Sequence, residues 1–198
     1  MKHYDKGASL SQRLLEGIDI LADNVASTLG PRGRNVILYK KGASPIITKD
    51  GVTVSEFVHM DDEFENAAAQ IIKQAAAQTN TMAGDGTTTA TVLAREILVG
   101  AQRYITAGAS PTELKRGIDA AVQDLTSAIR SSAIHIETLD DVENIATISA
   151  NNDRKIGKLI ATAVDKAGKD GAITIEESKT IKVWYDYESS RKTETNKT

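Results

Sequence analysis

Cysteine is absent from this chain of 198 residues, which excludes disulfide staples, thiolate nucleophiles and cysteine-ligated metal sites. Aromatic side chains are also scarce, at 4%, a profile that argues against an aromatic-rich sandwich. Positive charge is not in excess: 24 Lys and Arg stand against 27 Asp and Glu, a net charge of −3. The electrostatic footprint of a DNA- or RNA-binding protein is therefore missing. No apolar run is long enough to span a bilayer, and the start, Met1-Lys2-His3-Tyr4-Asp5-Lys6, lacks the apolar core of a signal peptide. These absences lead to the expectation of a soluble cytoplasmic protein with no nucleic-acid or membrane partner. His59 and His135 have no companions at metal-ligand spacing and read as surface or packing residues. What the chain does hold is 40% hydrophobic residues with abundant alanine. That suits closely packed helices in one domain, or one domain plus a smaller unit.

Taken in order, Leu10, Leu14, Ile18, Leu21 and Val25 recur at three- and four-residue steps and predict a helix with one buried stripe. Gly30-Pro31 stops it. Residues 35–39 and Ile46–Thr48 read as strands around the turn residues 40–45, hence a β-hairpin. Such a hairpin is marginal alone and calls for pairing elsewhere in the chain or with a neighbouring molecule. Lys49-Asp50-Gly51 reads as a sharp turn. A long helix is predicted over 63–83, with Phe64, Ala68, Ile71, Ala75 and Thr79 along its apolar side. The next helix carries Leu93, Ile97, Ala101, Tyr104 and Ile105 and ends near Gly108. Ser110-Pro111-Thr112-Glu113 has the form of a capping box with proline in the first turn, ahead of Leu114, Ile118, Val122, Leu125 and Ile129. These helices and the hairpin are expected to share one core through about Ser132. The chain then changes unit. Thr138 caps a short helix ending near Ile145, 148–152 form a loop, and a helix carrying Ile156, Leu159, Ile160, Ala163 and Val164 closes at Gly168 or Gly171. Residues 172–176 alternate like a strand, and the polar tail from Ser178, with Trp184, Tyr185 and Tyr187, is expected to be disordered.

One stretch carries chemistry more plainly than the others: Gly84-Asp85-Gly86-Thr87-Thr88-Thr89. Glycines on both sides of Asp85 free the backbone to turn and let a ligand approach closely. The threonines then open a helix, whose first turn presents unpaired N–H groups and a positive dipole end. A phosphate suits that place, and Asp85 could hold the Mg²⁺ that accompanies nucleotide phosphates. Equally, Asp and Thr are common caps, and the stretch alone is compatible with a plain capped turn.

The order of motifs adds to this reading. Thr28-Leu29-Gly30-Pro31-Arg32-Gly33-Arg34-Asn35 and Thr48-Lys49-Asp50-Gly51 are followed by Ala83-Gly84-Asp85-Gly86-Thr87-Thr88-Thr89-Ala90-Thr91. Pro111 with Leu114-Lys115-Arg116-Gly117-Ile118-Asp119, then Thr147-Ile148-Ser149-Ala150-Asn151, complete the series. Together, over residues 9–176, they closely resemble the amino-terminal part of a group I chaperonin subunit, the GroEL type. The resemblance implies a mainly α, multihelical fold with a small β-hairpin. Residues 1–132 would be the amino-terminal half of the ATP-binding equatorial domain, 133–177 part of the intermediate domain, and 178–198 a divergent tail. It implies that Thr28, Leu29, Gly30 and Pro31 flank ATP at a helix carboxyl end. Lys49, through its backbone, would line the phosphate and K⁺ region with Thr28 and Thr88, and Gly51 would belong to the same cofactor-binding turn. Asp85 would ligate Mg²⁺ while Gly86, Thr87, Thr88 and Thr89 wrap the phosphates. Asp50 would be catalytic, placing the attacking water near the terminal phosphate. No GxxxxGK[ST] P-loop occurs, so phosphate recognition would rest on DGTTT and a helix amino end.

A complete member of that family is well over twice this length. Three parts are expected to lie outside this sequence: the apical domain that grips unfolded client proteins and the cochaperonin, the returning half of the intermediate domain, and the carboxyl-terminal half of the equatorial domain. The resemblance therefore implies an ATP-dependent chaperonin subunit, or an amino-terminal piece of one, that assembles with other chaperonin subunits and hydrolyses ATP poorly alone. The alternatives are a non-catalytic short form that joins or modulates chaperonin rings, and an inactive truncated product.

Overall fold

Alanine-rich, aromatic-poor segments favour helix, and helices dominate the molecule. The structure, a computed structural model, describes residues 4–168 together with 171 and 173. In order these form α1 (Gly7–Ala26), β1 (Val36–Leu38), β2 (Ile46–Thr48), α2 (Gly51–Phe57), α3 (Glu63–Ala83), α4 (Thr87–Thr106), α5 (Pro111–Ser132), α6 (Leu139–Ser149) and α7 (Arg154–Ala167). This is the mainly α fold with a small hairpin that the sequence implies. The chain divides into two compact units, Met1–Leu125 and Thr126–Thr198.

In the first unit α1 packs on α3 and α4, and α2 bridges α1 and the hairpin. Ile18, Leu21 and Val25 of α1 meet Leu38 of β1, Val54 of α2, Met60, and Ala68, Ala69 and Ile72 of α3. Leu21, Val25 and Val54 are fully enclosed, and each large side chain so buried contributes about 1.5–3 kcal/mol. Gly17 lets α1 and α3 touch, since a Cβ there would lie 2.1 Å from the Glu65 carbonyl oxygen. Asp62 caps α3 by accepting from the Phe64 and Glu65 N–H groups. It also takes an ion pair from Arg13, whose guanidinium lies 4.5 Å from the Phe64 ring centre. The hairpin is antiparallel, with Val36 opposite Thr48, Ile37 opposite Ile47 and Leu38 opposite Ile46.

Several expectations need correction. The apolar side of α3 is offset by one residue: Ile72 is 3% exposed and Ile71 is 64% exposed. The run of alanines around two adjacent isoleucines offers two overlapping stripes, and only docking against α1 selects between them. The first strand is shorter than 35–39. The turn read at 49–51 instead opens the seven-residue helix α2. The expected core through Ser132 ends earlier. No residue of α5 is buried, and Leu125 and Ile129 are 62% and 70% exposed. On α4 only Thr87 and Thr91, one turn apart at its start, are buried, while Leu93, Ile97 and Tyr104 are exposed.

In the second unit α6 packs on α7, with Gly157 admitting Thr147 so closely that a Cβ would stand 2.0 Å from its hydroxyl oxygen. Thr138 and Asp141 form a reciprocal capping box at the start of α6. This helix continues past Ile145 to Ser149 before Asn151 and Asn152, both at positive φ, end it. Asp153 caps α7, and Gly168 terminates it at φ 74°. The strand expected at 172–176, Ile173 apart, and the tail with Trp184, Tyr185 and Tyr187 lie outside the described residues.

Candidate functional site

The carboxyl end of α1 supplies the first segment. Thr28 is 6% exposed, and its hydroxyl donates to the Val25 carbonyl at 2.7 Å, closing the last helical turn. Leu29, Gly30 and Pro31 follow on the surface, with Gly30 at φ 69°. The Arg34 N–H returns to the Ser27 carbonyl at 2.9 Å and Gly33 packs on the Thr28 carbonyl, so the exit loop is tied back on itself.

The second segment is the start of α2. Lys49 is half-buried. The Asp50 N–H donates to the Thr48 hydroxyl at 3.0 Å. The Asp50 carboxylate caps the helix, accepting from the Val52 N–H at 3.2 Å, the Thr53 N–H at 2.9 Å and the Thr53 hydroxyl at 2.7 Å. Partial burial pushes this carboxyl up, but the Thr53 hydroxyl and the two N–H donors outweigh it, and the group is held below the usual carboxylate range. A carboxylate has about four lone-pair positions, so roughly one acceptor position remains.

The third segment joins α3 to α4. Gly84 ends α3 at φ 70° and Gly86 precedes α4 at φ 88°, both left-handed conformations that glycine adopts without strain. Exposed Asp85 stands between them and accepts from the Gly86 N–H at 2.6 Å. Among the described residues no side chain caps α4 or α1, whereas α2, α3, α6 and α7 are each capped by their own Asp or Thr. Thr87 is 7% exposed, and its carbonyl accepts from the Thr91 hydroxyl at 2.9 Å. Its contribution to a ligand would come from its N–H rather than its side chain. Thr88 is half-buried and Thr89 exposed.

The fold brings the three segments together at Gly51. A Cβ on this residue would lie 2.0 Å from the Thr88 hydroxyl oxygen and 3.4 Å from that of Thr28. Leu29, Gly30, Pro31, Asp85 and Thr89 border these segments but, among the described residues, make no hydrogen bond to that cluster. Sequence reasoning missed Thr53, whose hydroxyl and N–H both donate to Asp50; Thr in place of the Glu or Gln of a capping box gave no helix-start signal there. It also missed a cleft of about 350 Å³ between α2, α3 and α4, lined by Val52, Ser55, Glu56, Lys73, Gln74 and Thr87 among others. There the Lys73 ammonium donates to the Val58 carbonyl. Burial lowers its pKa, and Glu56 only partly offsets this. Thr87 is the one expected site residue on this cleft. Among the described residues no three acidic or histidine side chains gather as a metal cage. Mg²⁺ bound with nucleotide phosphates needs one or two carboxylates, and solitary Asp85 beside an uncapped helix start fits that mode. Among the described residues no helix is long and apolar enough to cross a membrane.

The sequence model of the TCP-1/cpn60 chaperonin family matches residues 21–194. Among solved structures the chain is similar to the chaperonin gp146 from the bacteriophage EL 2 (Pseudomonas aeruginosa), crystallised in the presence of ATP-BeFx. In crystal form II the identity is 30% and the TM-score 0.65, covering 79% of this chain and 28% of that one. Crystal form I gives the same identity and a TM-score of 0.66. A group III chaperonin in the open state is similar at 26% identity and TM-score 0.68, covering 83% of this chain and 33% of that one. The chain thus spans 28% and 33% of the length of these structures. With a group III protein among them, the likenesses reach the family without dividing its groups.

Proposed function

Because this chain belongs to the TCP-1/cpn60 chaperonin family, we propose that it binds Mg-ATP and serves as the nucleotide-binding part of a ring-forming, protein-folding chaperonin subunit. The observation that carries the reading is the meeting of Thr28, Gly51 and Thr88 beside a helix start that has no side-chain cap. In this reading the N–H groups of Thr87, Thr88 and Thr89 donate to phosphate oxygens at the positive end of α4. Leu29, Gly30 and Pro31 line the nucleotide where α1 ends. Asp85 holds Mg²⁺, which neutralises phosphate charge during transfer. Oxygen atoms around Thr28, Lys49 and Thr88 take K⁺. Asp50, kept ionised by its hydrogen bonds, orients the attacking water through its remaining acceptor position. The working compartment is the cytoplasm, and clients and a cochaperonin are handled only with an apical domain.

Calorimetric titration of the purified chain with Mg-ATP tests the reading. Saturable binding is the expected result, with steady-state hydrolysis far slower than that of a full-length chaperonin, and absence of binding overturns it. A second reading, a non-catalytic chain that inserts into chaperonin rings, is favoured by the exposed apolar residues Leu93, Ile97, Leu125 and Ile129. Native mass spectrometry with a full-length chaperonin separates the two, since mixed oligomers without ATP binding support only the second.

A further inference from the structure

Gly51 is buried at the first position of α2, and its backbone does not need glycine. Positive φ values occur at seven other glycines of the described chain but not at this one. Helix propensity alone would favour alanine here. What opposes a side chain is space. The built Cβ lies 2.0 Å from the Thr88 hydroxyl oxygen, 3.3 Å from the Thr88 Cβ and 3.4 Å from the Thr28 hydroxyl oxygen. The first contact is far inside van der Waals range, and the atom it strikes is one that can move. Threonine in a helix divides between two χ1 rotamers, so rotation can carry the hydroxyl away at little cost to the fold. The Thr28 hydroxyl is engaged by the Val25 carbonyl. Among the described residues no hydrogen bond engages the Thr88 hydroxyl, as is also true of its neighbours Thr87 and Thr89; what sets Thr88 apart is its approach to Gly51.

We propose that Gly51 is a positioning residue: its missing side chain leaves room for the Thr88 hydroxyl in the rotamer that donates to a nucleotide phosphate, a rotamer that a Cβ at position 51 would exclude. This deepens the nucleotide-site reading above and rests on it. Gly51 itself touches no phosphate through a side chain; it acts through Thr88.

The test compares four versions of this 198-residue chain: wild type, Gly51→Ala, Thr88→Ala and the double variant. Three-bond couplings to the Thr88 methyl report its χ1 without nucleotide, and calorimetry reports the Mg-ATP dissociation constant. Gly51→Ala is expected to shift the couplings to the other rotamer and weaken Mg-ATP about tenfold, the scale of one hydrogen bond to a charged group. Its thermal unfolding midpoint should stay within a few degrees of wild type. The double variant should bind no more weakly than Thr88→Ala alone, because the hydroxyl through which Gly51 acts is already gone. Unchanged couplings in Gly51→Ala, or additive losses in the double variant, overturn the proposal. If Gly51→Ala does not fold, removing the Thr88 hydroxyl must restore folding, and a double variant that stays unfolded also overturns it. If wild type fails to bind Mg-ATP, or Thr88→Ala binds as wild type does, the nucleotide-site reading falls, and the couplings still decide whether Gly51 sets the Thr88 rotamer.

Discussion

The amino ends of α2 and α4 meet where Gly51 lies against Thr88, and they are finished in opposite ways. The start of α2 is closed by its own chain, with the Asp50 carboxylate taking up the N–H groups of Val52 and Thr53 and the Thr53 hydroxyl. The start of α4 is preceded by Gly86, which has no side chain to offer. Every helix start carries the same unpaired donors and the same positive dipole end. At α2 that potential is consumed in stability. At α4, among the described residues, no side chain takes it up, and under the proposed reading it would receive a phosphate, with Asp85 one residue further out holding the cation. The two aspartate–glycine pairs differ in register: Asp50 is itself the residue that caps α2, whereas Asp85 stands one residue before the start of α4 and accepts from the Gly86 N–H instead.

Exchanging the test between the two aspartates gives the largest contrast. Asp85→Ala is expected to weaken Mg-ATP roughly a hundredfold, about 2.7 kcal/mol, as measured by calorimetry. Among the described residues its only hydrogen bond is with the Gly86 N–H in its own turn, so it should cost no more than about 0.5 kcal/mol of stability. Equal losses of stability in Asp85→Ala and Asp50→Ala would break the comparison. Next in size, Asp50→Ala should cost about 1 kcal/mol in denaturant unfolding, the ordinary value of a lost cap. Asp50→Asn should keep most of that stability, because asparagine caps nearly as well, while ATP turnover falls with the lost charge.

Acid sharpens the same point. The Asp50 carboxyl is held below its ordinary range in the folded chain. Its contribution to stability is therefore full above the unfolded carboxyl pKa of about 3.9 and is lost as pH falls through the lower folded value. Subtracting the acid titration of Asp50→Asn from that of wild type should isolate this component, with no difference in slope near neutrality. A difference that grew towards alkaline pH would contradict it. Smallest of all, Thr53→Val removes one of three donors to Asp50 and should cost about 0.5 kcal/mol. It should also raise the acid midpoint of that component, read from the same titration.

Much of this molecule is legible along the chain because the relevant physics is local. The stripe of Ile18, Leu21 and Val25, the cap at Thr138 and the left-handed glycines around Asp85 each depend on residues within a turn or two, although the first helix ends at Ala26, ahead of the Gly30-Pro31 pair expected to stop it. Helix α2 was not legible. Asp50 and Gly51 carry a turn signature, and the β-branched Val52, Thr53 and Val54 weaken a helical reading. The helix is held by burial of Val54, 1% exposed, against a core that comes from elsewhere in the chain. For the candidate site, the same division holds. Asp85 and the threonines announce themselves by composition and spacing, whereas nothing in Lys49-Asp50-Gly51 says that Gly51 will face Thr88.

The sequence by itself determined the helical class, several helix caps and the residue types able to meet phosphate and Mg²⁺, since propensity, capping and charge act over a few residues. Only the tertiary structure decided which of Ile71 and Ile72 faces the core. Only the tertiary structure left the α5 stripe exposed and brought Thr28, Gly51 and Thr88 together. Those outcomes depend on close packing between segments tens of residues apart, where one missing Cβ decides what can approach, and no local pattern carries that distance.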